Sequence, residues 1–341
     1  MTWSCLRSLR FRCLTSKVGV FILLLCVTGI CVFWRAETPS YQPPREERHC
    51  ACDRCLRENG TLFLQRFDKF DEPFLSANHN LSEEAFNWWS VSCDRCSSSQ
   101  DQKVNHNQED VFRRLRSNNP TFSSYIEVVK KIFQKFPKTP ELEPPSPDRC
   151  RTCALVGNSA NLNGSHYGPL IDFQDFVIRI NNAPMKGYEK DVGTRTTHHV
   201  MYPESSVNLD DTTHLLLFAF KMRDLVWITK YINSGIRRGR TFNTDLMSIV
   251  NPAFIKFVHQ VWLKKKGYYP STGFLALILT LHLCDEVHLF GFGADSEGQW
   301  RHYWEELRNK LFKTGVHAGN VEFAMIKELS QNQIIKYYGG Y

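Results

Sequence analysis

Short apolar runs ending in glycine, asparagine or serine recur from residue 150 onward and constrain the fold more than any other feature. Four such runs lie at residues 154–156, 176–180, 215–218 and 287–290. Their length and apolar content are typical of strands buried on both faces of a sheet. Helical patterns occupy 254–265 and 273–284, between the last two runs. Strands that alternate with helices predict a doubly wound α/β sheet.

Polar turns follow the predicted strands. Gly157-Asn158-Ser159 follows the first run, Asn181 follows the second, and Gly291-Phe292-Gly293 follows the last. In open parallel sheets, ligands bind beyond the carboxyl ends of the strands. These asparagines and glycines therefore lie where a nucleotide would bind, although a turn of this kind can also serve only as a connection.

An uncharged apolar segment lies near the N-terminus, at residues 18–34. Its seventeen residues are at the short end of what a membrane helix needs. Four basic residues precede it, so the positive-inside rule places residues 1–17 in the cytosol. A cleaved signal peptide is the alternative, but the apolar run exceeds the usual ~7–15 residues. We expect an uncleaved type II signal anchor, a proline-containing stem at 35–49 and one lumenal domain at 50–341.

Cysteines and glycosylation sequons agree with a lumenal chain. The cysteines after the predicted anchor are Cys50, Cys52, Cys55, Cys93, Cys96, Cys150, Cys153 and Cys284. An even number in an oxidising compartment predicts disulfides, with zinc binding by the clusters at 50–55 and 93–96 as the alternative. Asn59, Asn80 and Asn163 each begin an Asn-x-Ser/Thr sequon. More than half of the net charge of +7 precedes the anchor, which disfavours nucleic-acid binding.

Residues that could carry chemistry cluster in the C-terminal half. Ser271 or Thr272 can cap the helix predicted from Gly273, and such a helix start suits a phosphate. Ordinary capping of a buried helix is the alternative interpretation. His302 and His317 can exchange protons near neutral pH. A single histidine is more often structural, so these positions alone do not decide between the two roles.

Four segments together resemble the animal sialyltransferase family. They are 153–200, 251–295 with the core YPSTGFLALILTLHLCDEVHLFGFGAD, HYWE at 302–305, and His317 followed five positions later by Glu322. They occur in the family's order over about half of the chain. The tracts THHVMYPES and KTGVH are most similar to β-galactoside α-2,3-sialyltransferases that act on Galβ1,3GalNAc.

The resemblance implies a GT-A-like α/β/α sandwich with a mostly parallel central sheet, held in the Golgi membrane with its catalytic domain in the lumen. It implies inverting, single-step transfer of sialic acid from CMP-N-acetylneuraminate to the 3-hydroxyl of a terminal galactose. The chain lacks any Asp-x-Asp pair, which metal-dependent sugar transferases commonly use, and this favours a reaction without a metal or other cofactor.

The resemblance also implies a role for individual residues. The nucleotide contacts would be Asn158, Ser159, Asn181, Ser271, Thr272, Gly273 and Gly293. Tyr269 and His302 would hold the phosphate, and His317 would be the general base. The implied disulfides are Cys50–Cys55, Cys52–Cys150 and Cys153–Cys284.

Two other functions stay open on the sequence. One is an enzyme of the same fold and donor that acts on Galβ1,4GlcNAc. The other is a membrane-tethered glycan-binding protein without catalytic activity, which the presence of both histidines disfavours.

Overall fold

A seven-stranded parallel sheet forms the centre of the structure, which is a computed structural model. The strands are β1 Thr152–Val156, β2 Phe176–Ile180, β3 His198–Met201, β4 His214–Leu217, β5 Met247–Ile249, β6 Glu286–Phe290 and β7 Lys336–Tyr338. The described residues are 50–53, 55–56, 66, 70–77, 80–100, 120–136, 146–234, 242–295, 297–306 and 317–340, with backbone alone at 92–100 and 231–234. These residues belong to one unit, His49–Tyr341.

The strand order is β5-β4-β3-β2-β1-β6-β7, and every neighbouring pair is parallel. The sheet therefore begins with β1 at its centre, continues outward through β2 to β5 on one side, and adds β6 and β7 on the other side of β1. The winding direction reverses between β1 and β6. Such a reversal opens a crevice beyond the carboxyl ends of the two strands, where α/β proteins bind ligands.

Helices cover both faces of the sheet. They are α1 Glu83–Gln100, α2 Phe122–Lys135, α3 Gly168–Asp172, α4 Glu189–Val192, α5 Met222–Ser234, α6 Pro252–Phe257, α7 Thr272–Leu283 and α8 Gly319–Gln331. Alternate residues of β1 enter two cores: Cys153 and Leu155 pack with α7, whereas Ala154 and Val156 pack with Ile171 of α3. This division confirms the predicted α/β/α arrangement, and the sheet is parallel throughout the described residues.

Helix α7 is central because it is apolar all round. Its buried residues run without a break from Phe274 to Leu281. A helix without a polar face must be enclosed on every side. Burying each large aliphatic side chain contributes about 1.5–3 kcal/mol to the free energy of folding. The helix is therefore firmly packed in the core, and this packing fixes the position of its N-terminus.

The predicted helix at 254–265 differs from the structure. Helix α6 ends at Phe257 and continues as one π-helical turn, Val258–Trp262. Lys264 and Lys265 then adopt positive φ angles of 50° and 62°, which end the helical path. Helix α2 is amphipathic, with Tyr125, Val129 and Ile132 buried.

Residues 1–49, which include the predicted tail, anchor and stem, lie outside the described residues. Among the described helices, none has the length and hydrophobicity that would let it span a bilayer. Asn80 and Asn163 are exposed, as glycan attachment requires, whereas Asn59 lies outside the described residues.

Candidate active site

The loops that follow β1 and β6 meet in direct backbone contact. Gly157 N–H donates to Phe290 O over 2.8 Å, and Ser159 N–H donates to Gly291 O over 2.9 Å. A Cβ atom on Gly157 would lie 2.3 Å from Gly291 O, closer than real Cβ contacts come. Glycine at 157 is therefore required for the two loops to approach, and their approach forms the floor of the crevice.

Two of the predicted nucleotide contacts, Asn158 and Asn181, lie at neighbouring strand ends. Asn158 Nδ2 donates to Ile180 O over 2.9 Å, which joins the ends of β1 and β2. Asn158 Oδ1 is buried, and no described residue donates to it. Asn181 has a φ of 56°, a left-handed conformation that asparagine tolerates better than most residues. Its Oδ1 accepts a hydrogen bond from Ser205 over 2.8 Å. The Asn158 carboxamide oxygen is thus a buried acceptor without a donor among the described residues.

His302 is brought to the β1 loop by backbone pairing. Ser159 and His302 form an antiparallel bridge, and Tyr303 N–H donates to Asn158 O over 3.0 Å. The His302 ring stacks on Trp304 with centroids 4.6 Å apart, and its Nδ1 lies 2.8 Å from a Glu305 carboxylate oxygen. With 49% of its side chain exposed, the imidazole can reach a ligand.

The N-terminus of α7 faces these loops. Ser271 is the N-cap, and its Oγ accepts from Phe274 N–H over 3.1 Å. Thr272 and Gly273 follow in the first turn, where backbone N–H groups lack intrahelical partners. A Cβ atom on Gly273 would lie 3.0 Å from the Phe292 ring, so the helix start packs against the β6 loop. Free N–H groups and the positive helix end together suit an anion.

His317 lies beside Tyr269, two residues before α8. Its Nδ1 is 3.2 Å from Tyr269 O, and the two rings meet edge to face with centroids 4.7 Å apart. A carbonyl oxygen only accepts hydrogen bonds, so the proton resides on Nδ1 and the lone pair on Nε2. The backbone thereby selects the tautomer in which Nε2 can take up a proton.

The predicted residues form two groups joined by the β6 loop. One contains Asn158, Ser159, Asn181 and His302, and it contacts the loop through Gly291. The other contains Tyr269, Ser271, Thr272, Gly273 and His317, and it contacts the loop through Phe292. Gly293 follows Phe292 with a φ of 93°. Amide, hydroxyl, imidazole and helix N–H groups thus lie on the elements that the β6 loop connects.

Residues 98–334 match the sequence profile of glycosyltransferase family 29 (sialyltransferase). The chain belongs to this family. It is 39% identical over 306 residues to CMP-N-acetylneuraminate-beta-galactosamide-alpha-2,3-sialyltransferase 2 of Mus musculus, covering 86% of this chain and 81% of the relative. It is 38% identical over 310 residues to CMP-N-acetylneuraminate-beta-galactosamide-alpha-2,3-sialyltransferase 1 of Homo sapiens. This match covers 86% of this chain and 84% of the relative.

Solved structures agree with the family assignment. A crystal structure of a mammalian sialyltransferase in complex with Gal-beta-1-3GalNAc-ortho-nitrophenol has a TM-score of 0.68 to this chain at 37% identity, over 86% of this chain and 100% of that one. A second mammalian sialyltransferase structure has a TM-score of 0.70 at the same identity. The predicted family, fold and enzyme class, a glycosyltransferase, are confirmed.

Glu322 has a larger part in this sialyltransferase site than its sequence spacing suggested. On the first turn of α8, its two carboxylate oxygens accept from Ser271 N–H over 2.8 Å and from Ser271 Oγ over 2.6 Å. Burial raises the pKa of Glu322, while both Ser271 bonds and the nearby His317 oppose the rise. The carboxylate links the N-termini of α7 and α8, and with them Ser271 and His317. The His-x4-Glu spacing was the only sequence signal.

Disulfides brace the site of this family 29 protein from behind. Cys153 at the start of β1 is bonded to Cys284 at the end of α7, and Cys50–Cys55 and Cys52–Cys150 are also formed. These are the pairs that the family resemblance implied. Cys50, Cys52 and Cys55 are all in disulfides, so they have no thiolate with which to bind zinc. The side chains of Cys93 and Cys96 lie outside the described part of the structure.

Proposed function

We propose that this sialyltransferase transfers sialic acid from CMP-N-acetylneuraminate to the 3-hydroxyl of a terminal galactose. The proposed acceptor is Galβ1,3GalNAc of O-glycans or glycolipids. The names of the relatives from Mus musculus and Homo sapiens support the donor, the β-galactosamide acceptor and the α-2,3 linkage. The disaccharide analogue bound by the structural neighbour supports the acceptor. The single observation that carries the chemistry is the hydrogen bond from His317 Nδ1 to Tyr269 O, beside the α7 N-terminus.

In the proposed reaction, the galactose 3-hydroxyl attacks the anomeric carbon of sialic acid in one inverting step. His317 Nε2 accepts the hydroxyl proton as the carbon–oxygen bond to the acceptor forms. The bond to the phosphate oxygen breaks, and CMP leaves with the electron pair. A sugar hydroxyl is a weak nucleophile, and general-base assistance typically accelerates such a step by ~10²–10⁴-fold.

The leaving CMP would be stabilised by His302 on one side of the β6 loop and by Tyr269 and the α7 N-terminus on the other. A protonated His302 can donate from Nε2 to the phosphate while Nδ1 donates to Glu305. Tyr269 would also hold the phosphate, and the first turn of α7 adds N–H groups and its positive dipole end. Asn158, Ser159 and Asn181 would bind the cytidine. These groups can supply the stabilisation that a divalent cation provides in other sugar transferases, so we propose a metal-independent reaction.

His302→Ala tests the leaving-group role. We expect kcat to fall by ~10²–10⁴-fold, because the donor to the departing phosphate is lost. A turnover number equal to that of the wild type would remove His302 from the mechanism.

We further propose that residues 18–34 anchor the enzyme in the Golgi membrane, with the tail 1–17 in the cytosol and the domain after the stem in the lumen. Protease protection of the folded domain in sealed vesicles tests this orientation, and cleavage of that domain without detergent would contradict it.

A transfer assay tests the activity itself. Radiolabelled CMP-sialic acid is incubated with Galβ1,3GalNAc, Galβ1,4GlcNAc and a galactose-free control, each with and without EDTA. We expect α-2,3-linked product from the first acceptor at a rate that EDTA does not change. Preference for the second acceptor would correct the acceptor, loss of rate with EDTA would contradict metal independence, and CMP binding without any transfer would indicate a glycan-binding protein.

A further inference from the structure

The last strand of the chain holds the loop that joins the two halves of the site. Tyr337 Oη donates to Phe292 O over 2.8 Å, and Asn161 Nδ2 donates to the same oxygen over 2.7 Å. A carbonyl oxygen has two lone pairs, so these bonds use its full accepting capacity. The two donors are far apart in the sequence: Asn161 lies in the loop after β1, and Tyr337 lies in β7.

Two bonds to one carbonyl fix the plane of its peptide group. The peptide between Phe292 and Gly293 is trans, so Gly293 N–H points away from the carbonyl that Asn161 and Tyr337 hold. No described residue accepts a hydrogen bond from this N–H. Rotation of the peptide would redirect it, and such a rotation requires breaking the bond from Tyr337.

The C-terminal residues also support the second donor. Gly340 has a φ of 79°, and a Cβ atom there would lie 2.0 Å from Asn161 O. Gly340 is therefore packed directly on the backbone of Asn161. A tyrosine phenol is protonated at neutral pH and can donate, and burial raises the pKa of Tyr337 further. Both groups that hold the Phe292 carbonyl thus depend on residues 337–340.

We propose that Tyr337 is a positioning residue of the donor pocket: its hydroxyl holds the Phe292–Gly293 peptide in the orientation that binds the CMP part of the donor. The inference rests on the proposed function, in which the crevice between the β1 and β6 loops holds CMP-sialic acid. Tyr337 need not touch the donor, because it acts through the backbone of the β6 loop.

The chain offers a matched control in the next residue. Tyr338 lies on the opposite face of β7, and its hydroxyl is 3.1 Å from His288 Nδ1 instead of the loop. Tyr337→Phe and Tyr338→Phe each remove one hydroxyl from a partly buried ring and one hydrogen bond. Their thermal stabilities should fall by similar small amounts, whereas their effects on the nucleotide should differ.

The test is calorimetric titration of CMP into the wild type and both variants, with KM measured for donor and acceptor. For Tyr337→Phe we expect the Kd for CMP and the donor KM to rise about three- to tenfold, the range of one lost hydrogen bond, with acceptor KM unchanged. Tyr338→Phe should bind CMP like the wild type.

Equal CMP affinity of Tyr337→Phe and the wild type would overturn the proposal, and so would equal losses in the two variants, since those would reflect general destabilisation. A wild type that does not bind CMP would overturn the proposed function as well. The titration of the wild type alone shows that failure, so it is distinguishable from a failure of the Tyr337 proposal.

Discussion

Gly157→Ala tests whether the contact between the β1 and β6 loops builds the site. The new Cβ would lie 2.3 Å from Gly291 O and 2.9 Å from two atoms of the Phe292 ring. A backbone oxygen cannot rotate aside, so the loops must separate. Overpacking costs about 1–3 kcal/mol. Weakening the bonds from Gly157 N–H and Ser159 N–H adds about 0.5–1.5 kcal/mol each.

We therefore expect Gly157→Ala to lower the free energy of unfolding by about 2–6 kcal/mol and to weaken CMP binding, because Asn158 moves with the loop. Denaturant titration and calorimetry measure the two effects. Gly298→Ala is the control: its φ is 74°, but nothing lies within 4 Å of the added atom. It pays only the conformational cost of about 1–2 kcal/mol and should bind CMP normally. Wild-type stability and affinity in Gly157→Ala would refute the reasoning.

Two further predictions concern stability. Burial lowers the pKa of His199 to about 4 from 6.5, so the folded state favours the neutral ring and its stability is lost as pH falls from 6.5 to 4. The wild type should lose up to about 3 kcal/mol more than His199→Gln over this range in denaturant titrations, and parallel pH profiles would contradict this. Cys153–Cys284 spans 131 residues and Cys50–Cys55 spans five. Replacing each pair by alanine should cost about 5 and about 2 kcal/mol respectively in chemical unfolding, and the reverse order would contradict the loop-entropy account.

The strands that could be predicted from sequence are those that contain an apolar run followed by a polar turn. The runs at 154–156, 176–180, 215–218 and 287–290 are in β1, β2, β4 and β6. Strand β3 begins with two histidines, which interrupt the apolar run, although both are buried in the sheet. Strands β5 and β7 have three residues each, too few for a periodic pattern.

The site was predicted as far as its local motifs allowed. The N-cap role of Ser271 follows from its place before an apolar helix, and the structure has it there. The functions of Asn158, Asn181, His302 and His317 stay predictions; the structure joins Asn158 to the end of β2 and His302 to the β1 loop, and it places His317 beside Tyr269.

Long-range contacts were the part that sequence could not supply. Glu322 contacts Ser271 across 51 positions, and Tyr337 contacts Phe292 across 45. No periodicity or capping rule links residues so far apart, because such pairs are set by how the helices and strands pack. Tyr337 in particular lies in a three-residue strand, Lys336–Tyr338, without any motif.

The most direct test of the whole account combines CMP titration with single-turnover transfer in the wild type and in His317→Ala. His214→Ala is the control. This exposed histidine lies at the amino end of β4, whereas the site lies beyond the carboxyl ends of the strands. We predict CMP affinity within about twofold of the wild type in both variants, with transfer lowered at least ~10²-fold only in His317→Ala. Near-wild-type transfer by His317→Ala, or a wild type that does not bind CMP, would contradict the account.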